Sequence, residues 1–206
     1  MEKELVYGVG INDANYPLHK YTELPREGGK RKRLKVTCPY YSRWRDMLRR
    51  CYYEGYLEKF PSYKGVTVCE EWLTFSNFRT WMETRDWEGK HLDKDLLIPG
   101  NKIYSPETCI FIDAKLNYFA LECNKSRGSW PIGVSYHKRV KKFSANCRSY
   151  FEDKAVHLGY YEKPEEAHAA WLAFKLEQAK EIAKTLEDPR LAKALVLRYE
   201  NYGMEV

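Results

Sequence analysis

The sequence predicts an α+β protein of two domains, and three observations support this prediction. Apolar residues recur at helical spacing in residues 39–54 and again in residues 74–83. Residues 91–122 are then typical of two short strands followed by a helix. The C-terminal half has three short strands and a long Ala-rich helix that opens at Pro164.

Residues 1–38 are predicted to be an irregular lead-in that carries a basic arm. Gly8, Gly10 and Pro17 interrupt the first 24 residues. Residues 25–35 form a loop or hairpin with five positive charges between Lys30 and Lys35. A short basic run of this kind is either solvated surface or an arm that contacts phosphates, and both interpretations stay open.

The first domain, residues 39–122, begins with two amphipathic segments around a short strand at residues 65–69. Their apolar stripes are predicted to be core: Tyr41, Trp44, Met47, Leu48 and Cys51 in the first, and Phe75, Phe78, Trp81 and Met82 in the second.

The end of this domain has the order strand, strand, helix. Extended runs at residues 91–98 and 102–104 lie on either side of a turn at residues 99–101, and residues 109–112 are a further extended run. Residues 113–122 are predicted to be helical, and the polar residues 122–130 form a linker.

The second domain, residues 126–184, has strands at residues 132–136, 142–149 and 155–160 before the helix that opens at Pro164. A helical tail at residues 185–206 follows, with a separate helix at residues 189–202.

Composition and charge limit the function classes. The chain has 206 residues, 44% of them hydrophobic and 15% aromatic, which is sufficient for packed cores. The N-terminus lacks the apolar core of a signal peptide, and no run approaches the length of a membrane span. We therefore expect a cytoplasmic protein without membrane contact, whose cysteines are reduced or bound to metal.

Basic residues are concentrated in one segment of the second domain. Residues 125–150 contain seven lysines and arginines and no acid, within a chain of net charge +6. Aromatic residues lie between these charges. The alternatives are an oriented contact with nucleic-acid phosphates and a solvated hairpin tip, and the long stretch without acids favours the former.

Four segments of this half resemble the DNA-binding domain of the plant ethylene-response-factor type, which also occurs appended to phage and mobile-element endonucleases. They are PIGVSY at 131–136, KFSA at 142–145, HLGYY at 157–161 and PEEAHAAW at 164–171. The resemblance implies a three-stranded antiparallel sheet packed on one helix, with strand side chains in the major groove of double-stranded DNA. The implied contacts are Arg127, Tyr136, His137, Lys138, Arg139, Lys141, Lys142, Arg148 and Tyr150. Arg148 is the best candidate for base reading, because a guanidinium can bind guanine with two hydrogen bonds.

The first domain resembles HNH-type endonucleases encoded by phages, in particular homing-endonuclease-like proteins of podophages. The segments that carry the likeness are YSRWRDMLRRC at 41–51, YKGVTVCEEW at 63–72, LDKD at 92–95, YSPETC at 104–109 and Asn117. The resemblance implies a ββα-metal fold and metal-dependent nicking or cutting of duplex DNA with Mg²⁺ or Mn²⁺.

Only some of the family's catalytic positions are occupied by the expected residue type in this chain. Asp93 matches the metal-binding aspartate of the family, and Asn117 matches the third motif position. Lys94 falls where the general-base histidine is expected, and Thr108 falls where the central asparagine is expected. A protonated lysine is a poor base, so Lys94 would instead stabilise a phosphate.

An imidazole is available two residues upstream of Asp93. On an extended strand His91, Asp93 and Asp95 point to one face, so His91 could supply the base.

Four cysteines flank the proposed motif and could bind a structural Zn²⁺: Cys38, Cys51, Cys69 and Cys109. Their separations are long and irregular, which favours buried reduced thiols over a zinc site.

Three functional hypotheses follow. The first is a metal-dependent HNH-type endonuclease that uses Asp93. The second is a catalytically degenerate DNA-binding protein with a regulatory or inhibitory role. The third is an interaction protein whose basic surface contacts an acidic protein.

Overall fold

The computed structural model describes residues 5–23, 33–121 and 129–203. These residues form a mixed α and β structure with four small sheets, as the predicted α+β class requires. They divide into two compact units. The first contains the described residues up to Asp95 together with Gly100–Ile112, and the second contains Leu96–Pro99 and the described residues from Asp113 onward.

The first unit has three α-helices and six short strands among its described residues. The helices are α1 (Pro39–Tyr52), α2 (Glu54–Lys59) and α3 (Phe75–Glu83). The strands are β1 (His19–Glu23), β2 (Arg33–Thr37), β3 (Thr67–Val68), β4 (His91–Asp93), β5 (Ile103–Tyr104) and β6 (Ile110–Ile112). Two 3₁₀ turns, Pro61–Tyr63 and Glu70–Leu73, complete the unit.

The core of the first unit contains the two apolar stripes that the sequence predicts. Trp44 on α1 is fully buried and contacts Phe75 of α3, with ring centroids 5.5 Å apart. Its indole N–H donates to the carbonyl of Trp72 at 2.7 Å, which satisfies the buried polar group. Helix α1 begins with Pro39 in its first turn and carries Arg49 and Arg50 in its last, both favourable positions.

The strands before and after the turn at residues 99–101 pair with other strands and not with each other. Strand β4 pairs antiparallel with β6, whereas β5 pairs in parallel with β3. The prediction of a strand over 91–98 is wrong beyond Asp93, because the Asp93 carboxylate accepts a hydrogen bond from the backbone N–H of Asp95. Such a side-chain-to-backbone bond turns the chain away from an extended course.

The predicted irregular lead-in contains more structure than expected. Strands β1 and β2 form an antiparallel ribbon, with Tyr21 opposite Lys35, so the hairpin interpretation of the arm is confirmed at its base. The tip of the arm, residues 24–32, lies outside the described residues. Val6 and Tyr7 pack against the core of the first unit.

The second unit contains the predicted three-stranded antiparallel sheet, in the order β7–β8–β9. Its strands are β7 (Val134–His137), β8 (Lys142–Arg148) and β9 (Ala155–Tyr161), and its helices are α4 (Ala114–Ala120), α5 (Pro164–Ala183) and α6 (Pro189–Glu200). Helix α5 packs on all three strands. Ala145 of β8 and Ala167 of α5 are fully buried. Small side chains at both positions allow close approach of helix and sheet.

Helix α4 belongs to the second unit, although the sequence places it in the first domain. The Phe119 carbonyl at its C-terminal end accepts hydrogen bonds from Lys175 of α5 at 2.7 Å and from Tyr199 of α6 at 3.0 Å. The division between the units therefore falls at Ile112, before the expected linker, most of which lies outside the described residues.

Candidate functional site

The sheet of the second unit has one face toward α5 and one face turned away from it. Paired residues of an antiparallel sheet point to the same side, and the side alternates along each strand. The side turned away from α5 is called the free face here. It carries His137, Lys142, Ser144, Asn146, Arg148, His157 and Tyr160.

Polar and aromatic side chains form a connected network on the free face. Asn146 Nδ2 donates to Ser144 Oγ at 2.9 Å, and His157 Nδ1 lies 3.2 Å from both Ser144 Oγ and Asn146 Oδ1. The Tyr160 ring lies between the two imidazoles, 4.6 Å from His157 and 5.4 Å from His137. This network holds hydrogen-bonding groups in fixed positions on an exposed surface.

Four members of the network are absent from the predicted contacts: Ser144, Asn146, His157 and Tyr160. Side chains alternate along a strand, so the sequence from Lys142 to Arg148 predicts that Ser144 and Asn146 lie on the same face as these two residues. His157 has no comparable signal, because a bulge between Ala145 and Asn146 shifts its register.

The predicted base-reading residue Arg148 lies on the free face, with its side chain about half exposed. Its Nε donates to the Asp153 carboxylate at 2.9 Å, and this hydrogen bond raises the pKa of the guanidinium. Both side chains are more than half exposed, at 54% and 71%. Solvent screens an exposed pair of this kind, so a nucleic acid could replace Asp153 at small cost.

The turn between β7 and β8 presents three cations to solvent: Lys138, Arg139 and Lys141. His137 closes this turn, because its carbonyl accepts from the Lys141 N–H at 2.8 Å and its Nδ1 from the Val140 N–H at 3.2 Å. Lys142, at the start of β8, pairs with Glu162 at 2.7 Å.

Of the remaining predicted contacts, Tyr136 and Tyr150 do not lie on the free face. Tyr136 points to the α5 side of the sheet and packs on Phe143, with centroids 5.2 Å apart. Tyr150 follows the end of β8 and packs on Phe119 at 5.6 Å, with the Lys115 ammonium 4.3 Å from its ring. Arg127 lies outside the described residues.

The β1–β2 ribbon is a second basic surface, in the first unit. Nearly all of its side chains are exposed, including Tyr21, Leu34 and Val36. Strands β1 and β2 contain three lysines and arginines and one glutamate, and the sequence of the whole segment 19–37 has an excess of five basic residues. A two-stranded ribbon with both faces in solvent is marginally stable by itself.

The proposed nuclease residues begin on β4. Leu92 points into the core, and alternation places His91 and Asp93 together on the opposite side of the strand. Asp95 does not join them, because the strand ends at Asp93. The predicted single face of His91, Asp93 and Asp95 is thus reduced to its first two members.

Lys94 is buried, and its hydrogen bonds stabilise the loop that follows it. Only 6% of its surface is exposed. Its ammonium donates to the Asp95 carboxylate and, at 3.0 Å, to the backbone carbonyl of Asn101. In turn, Nδ2 of Asn101 donates to the backbone carbonyl of Lys94 at 2.9 Å. An ammonium held in this way is not directed at a phosphate, and it is unsuited to act as a base.

The other two candidate residues lie in a loop of the first unit and on a helix of the second. Thr108 is buried, and its hydroxyl donates to the Ile103 carbonyl at 2.8 Å, which fixes the loop between β5 and β6. Asn117 lies on α4 and therefore in the second unit, whereas Asp93 lies in the first.

These residues fit a catalytic Mg²⁺ or Mn²⁺ poorly. Such an ion needs carboxylate oxygens from one or two side chains together with water. The second carboxylate, that of Asp95, is already paired with a buried ammonium that would repel a cation. Within residues 5–23, 33–121 and 129–203, no three His, Cys, Asp or Glu side chains come together as a metal-binding group.

The cysteines likewise form no zinc-binding cluster in the described part of the chain. Cys38, Cys51, Cys69, Cys109 and Cys147 are free thiols, and Cys123 lies outside the described residues. Burial raises the pKa of Cys51 and of Cys109 to about 12. Both thiols are therefore protonated at neutral pH when no metal is bound.

We expect Cys51 and Cys109 to resist thiol reagents in the native protein at pH 8, because burial keeps both protonated. Labelling with iodoacetamide followed by peptide mass spectrometry would measure each rate. The half-buried Cys38 serves as the internal control and should react at least about tenfold faster. Labelling of Cys109 as fast as Cys38 would contradict the buried-thiol interpretation.

In the described ranges, no helix has both the length and the apolar character needed to cross a membrane. Comparison of the chain with protein-family models, with curated proteins and with solved structures finds no match.

Proposed function

We propose that this protein binds duplex DNA through the free face of its three-stranded sheet and the basic turn beside it. The observation that supports this most is the combination of a fixed polar network with three exposed cations at one end of the sheet. Strands can enter the major groove, where every base pair presents a distinct pattern of donors and acceptors.

The side chains divide into two roles under this proposal. Asn146 and Arg148 lie two residues apart on one strand and face the same way, and their side chains are suited to adenine and guanine respectively. Lys138, Arg139 and Lys141 lie on the turn, where ammonium and guanidinium groups would contact phosphates and fix the register of the sheet.

The β1–β2 ribbon provides a second contact in this proposal. Lys20, Arg33 and Lys35 lie on the ribbon, and two-stranded β-ribbons are used in DNA grooves. Binding to DNA also suits a cytoplasmic location, where free thiols such as those described above stay reduced.

We expect Arg148→Ala to reduce sequence preference and Lys141→Ala to weaken all sequences alike. The first substitution removes a base contact, worth about 1–3 kcal/mol at one position of the site. The second removes a phosphate contact. It should reduce the magnitude of the slope of log K against the logarithm of the salt concentration by about 1. Selection from a random duplex library, followed by fluorescence anisotropy across a salt series, measures both effects.

Two outcomes of these measurements would contradict the proposal. Equal effects of both substitutions on every sequence would contradict the division of roles. Duplex binding with almost no salt dependence would contradict recognition through phosphates and would favour the alternative of an acidic protein partner. Lys193→Ala, an exposed lysine on α6 remote in sequence from the sheet, serves as the matched charge control.

A metal-dependent endonuclease of the HNH type, with a ββα-metal fold, is the second candidate. The antiparallel β4–β6 pair, followed in the chain by α4, favours it. The burial of Lys94 and its pairing with Asp95 disfavour it, since they remove two of the residues nearest to Asp93. We therefore propose a DNA-binding protein whose nuclease-like half does not cleave.

We expect the pure protein to leave supercoiled plasmid intact with either Mg²⁺ or Mn²⁺, at protein concentrations that saturate DNA binding. Gel electrophoresis of the plasmid measures nicking, and Asp93→Ala is the control for contaminating nucleases. Nicking by the wild type that Asp93→Ala abolishes would contradict the non-cleaving proposal and establish the endonuclease. Nicking by both proteins would indicate contamination.

A further inference from the structure

A cavity of about 210 Å³ lies within the second unit, beside the end of β8. Its walls are mostly apolar and aromatic and include Phe119 of α4, Ile132, Tyr150 and Trp171 of α5. Asn146 and Arg148, to which we assign base contacts, also border the cavity. An apolar pocket with a few convergent polar groups is the usual form of a small-molecule site.

One of the charged side chains in this wall, Lys175, is buried. Lys175 of α5 is 8% exposed and borders the cavity. Its ammonium donates to the Phe119 carbonyl at 2.7 Å and lies 3.5 Å from the centroid of the Phe119 ring. An ammonium has three donors, and the Phe119 carbonyl is the one hydrogen-bond acceptor that the described residues place on it.

The surroundings of Lys175 lack a counter-ion. Its ammonium forms no ion pair with a carboxylate within the described ranges, and the nearby charge of Arg198 opposes it. The cavity wall contains one acid, Asp153, which is already bonded to Arg148. Burial without a counter-ion lowers the pKa of Lys175 to about 8.

We propose that this cavity binds a small aromatic carboxylic acid, whose carboxylate accepts hydrogen bonds from the Lys175 ammonium and whose ring packs between the aromatic walls. The anion supplies the acceptors and the charge that the protein itself does not provide at this position. A hydrogen bond between two ionised groups is short and about twice as strong as a neutral one.

The size of the cavity limits the ligand. A cavity of about 150 Å³ holds one benzene molecule, so the space here suits a single ring with a short acidic substituent. Lys115, whose ammonium lies over the Tyr150 ring, also borders the cavity and adds positive charge. The site does not require DNA binding.

The test uses benzoate as the probe and benzyl alcohol as its neutral counterpart, each titrated into the full chain and followed by calorimetry and NMR. We expect benzoate to bind with a Kd of roughly millimolar or tighter. Lys175→Met should weaken benzoate by at least about tenfold and change benzyl alcohol by less than about twofold. Lys193→Met, which alters a lysine outside the cavity wall, is the matched control and should leave both ligands unaffected.

A measurement on the wild type keeps the test valid if Lys175→Met fails to fold. Benzoate should shift the NMR signals of the Lys175 ε-methylene and of the Trp171 indole, and benzyl alcohol should leave the former unchanged. Absence of benzoate binding, equal binding by Lys175→Met, or shifts confined to residues outside the cavity would each overturn the proposal.

Discussion

Replacing Gly133 with alanine is expected to destabilise the second unit by about 2–5 kcal/mol, from left-handed backbone strain and overpacking together. Gly133 has a φ of +81°, and a Cβ added there would lie 2.1 Å from Cδ1 of Trp171. Trp171 is 4% exposed, so its ring has little room to move without displacing α5 from the sheet. Because a small domain is stable by only about 5–15 kcal/mol, duplex binding through the sheet should fall with the folded fraction.

Gly203→Ala is the matched control for this substitution. Gly203 has nearly the same φ, +79°, but an added Cβ would meet no atom within 4 Å. The control therefore keeps the backbone strain and omits the clash. Urea denaturation of both variants measures the difference, and equal losses would mean that Trp171 yields to the methyl group.

The second large effect concerns Lys175 and pH. Its folded pKa of about 8 lies below the ordinary value of 10.5, so the unfolded chain binds more protons between these two values. Stability should therefore rise with pH across this window, by about 1.4 kcal/mol per pH unit and on the order of 3 kcal/mol in total. Below pH 8 the full cost of burying the ammonium is present, and above pH 10.5 it is absent.

Lys175→Met removes this titration and keeps an unbranched apolar side chain in the same space. We expect the difference in unfolding free energy between wild type and variant to change across pH 8–10.5 and to be constant below it. The variant should be the more stable protein at neutral pH, since no buried charge remains. Urea denaturation at a series of pH values tests this, and parallel pH profiles would contradict it. Cys147 faces the same ammonium, and burial raises its thiol pKa, so it stays protonated over the lower part of the window.

Much of the second unit is predictable from the sequence because its signals are local. Alternating strands, a proline at the start of α5 and acidic residues in its first turn mark each element close to where it lies. The free face follows from the same alternation as far as Arg148. The α6 helix is likewise marked by Pro189 at its start.

The site around Asp93 could not be predicted in the same way. The spacing of His91, Asp93 and Asp95 suggests one face only if the strand continues, and a single hydrogen bond from the Asp95 N–H to the Asp93 carboxylate ends it. The burial of Lys94 depends on Asn101, which the sequence places across a turn but does not orient.

The α+β class is predictable from the sequence alone, and so are the apolar stripes of α1 and α3 and the order of strands and helix in the second unit. These depend on periodicity and turn residues, which act over a few neighbours in the chain. Long-range packing, in contrast, establishes that β4 pairs with β6, that α4 joins the second unit and that Lys175 lies buried beside a cavity. Each of these is a choice of partner between residues distant in the chain, and such choices depend on packing and on the pairing of buried polar groups, which local sequence does not encode.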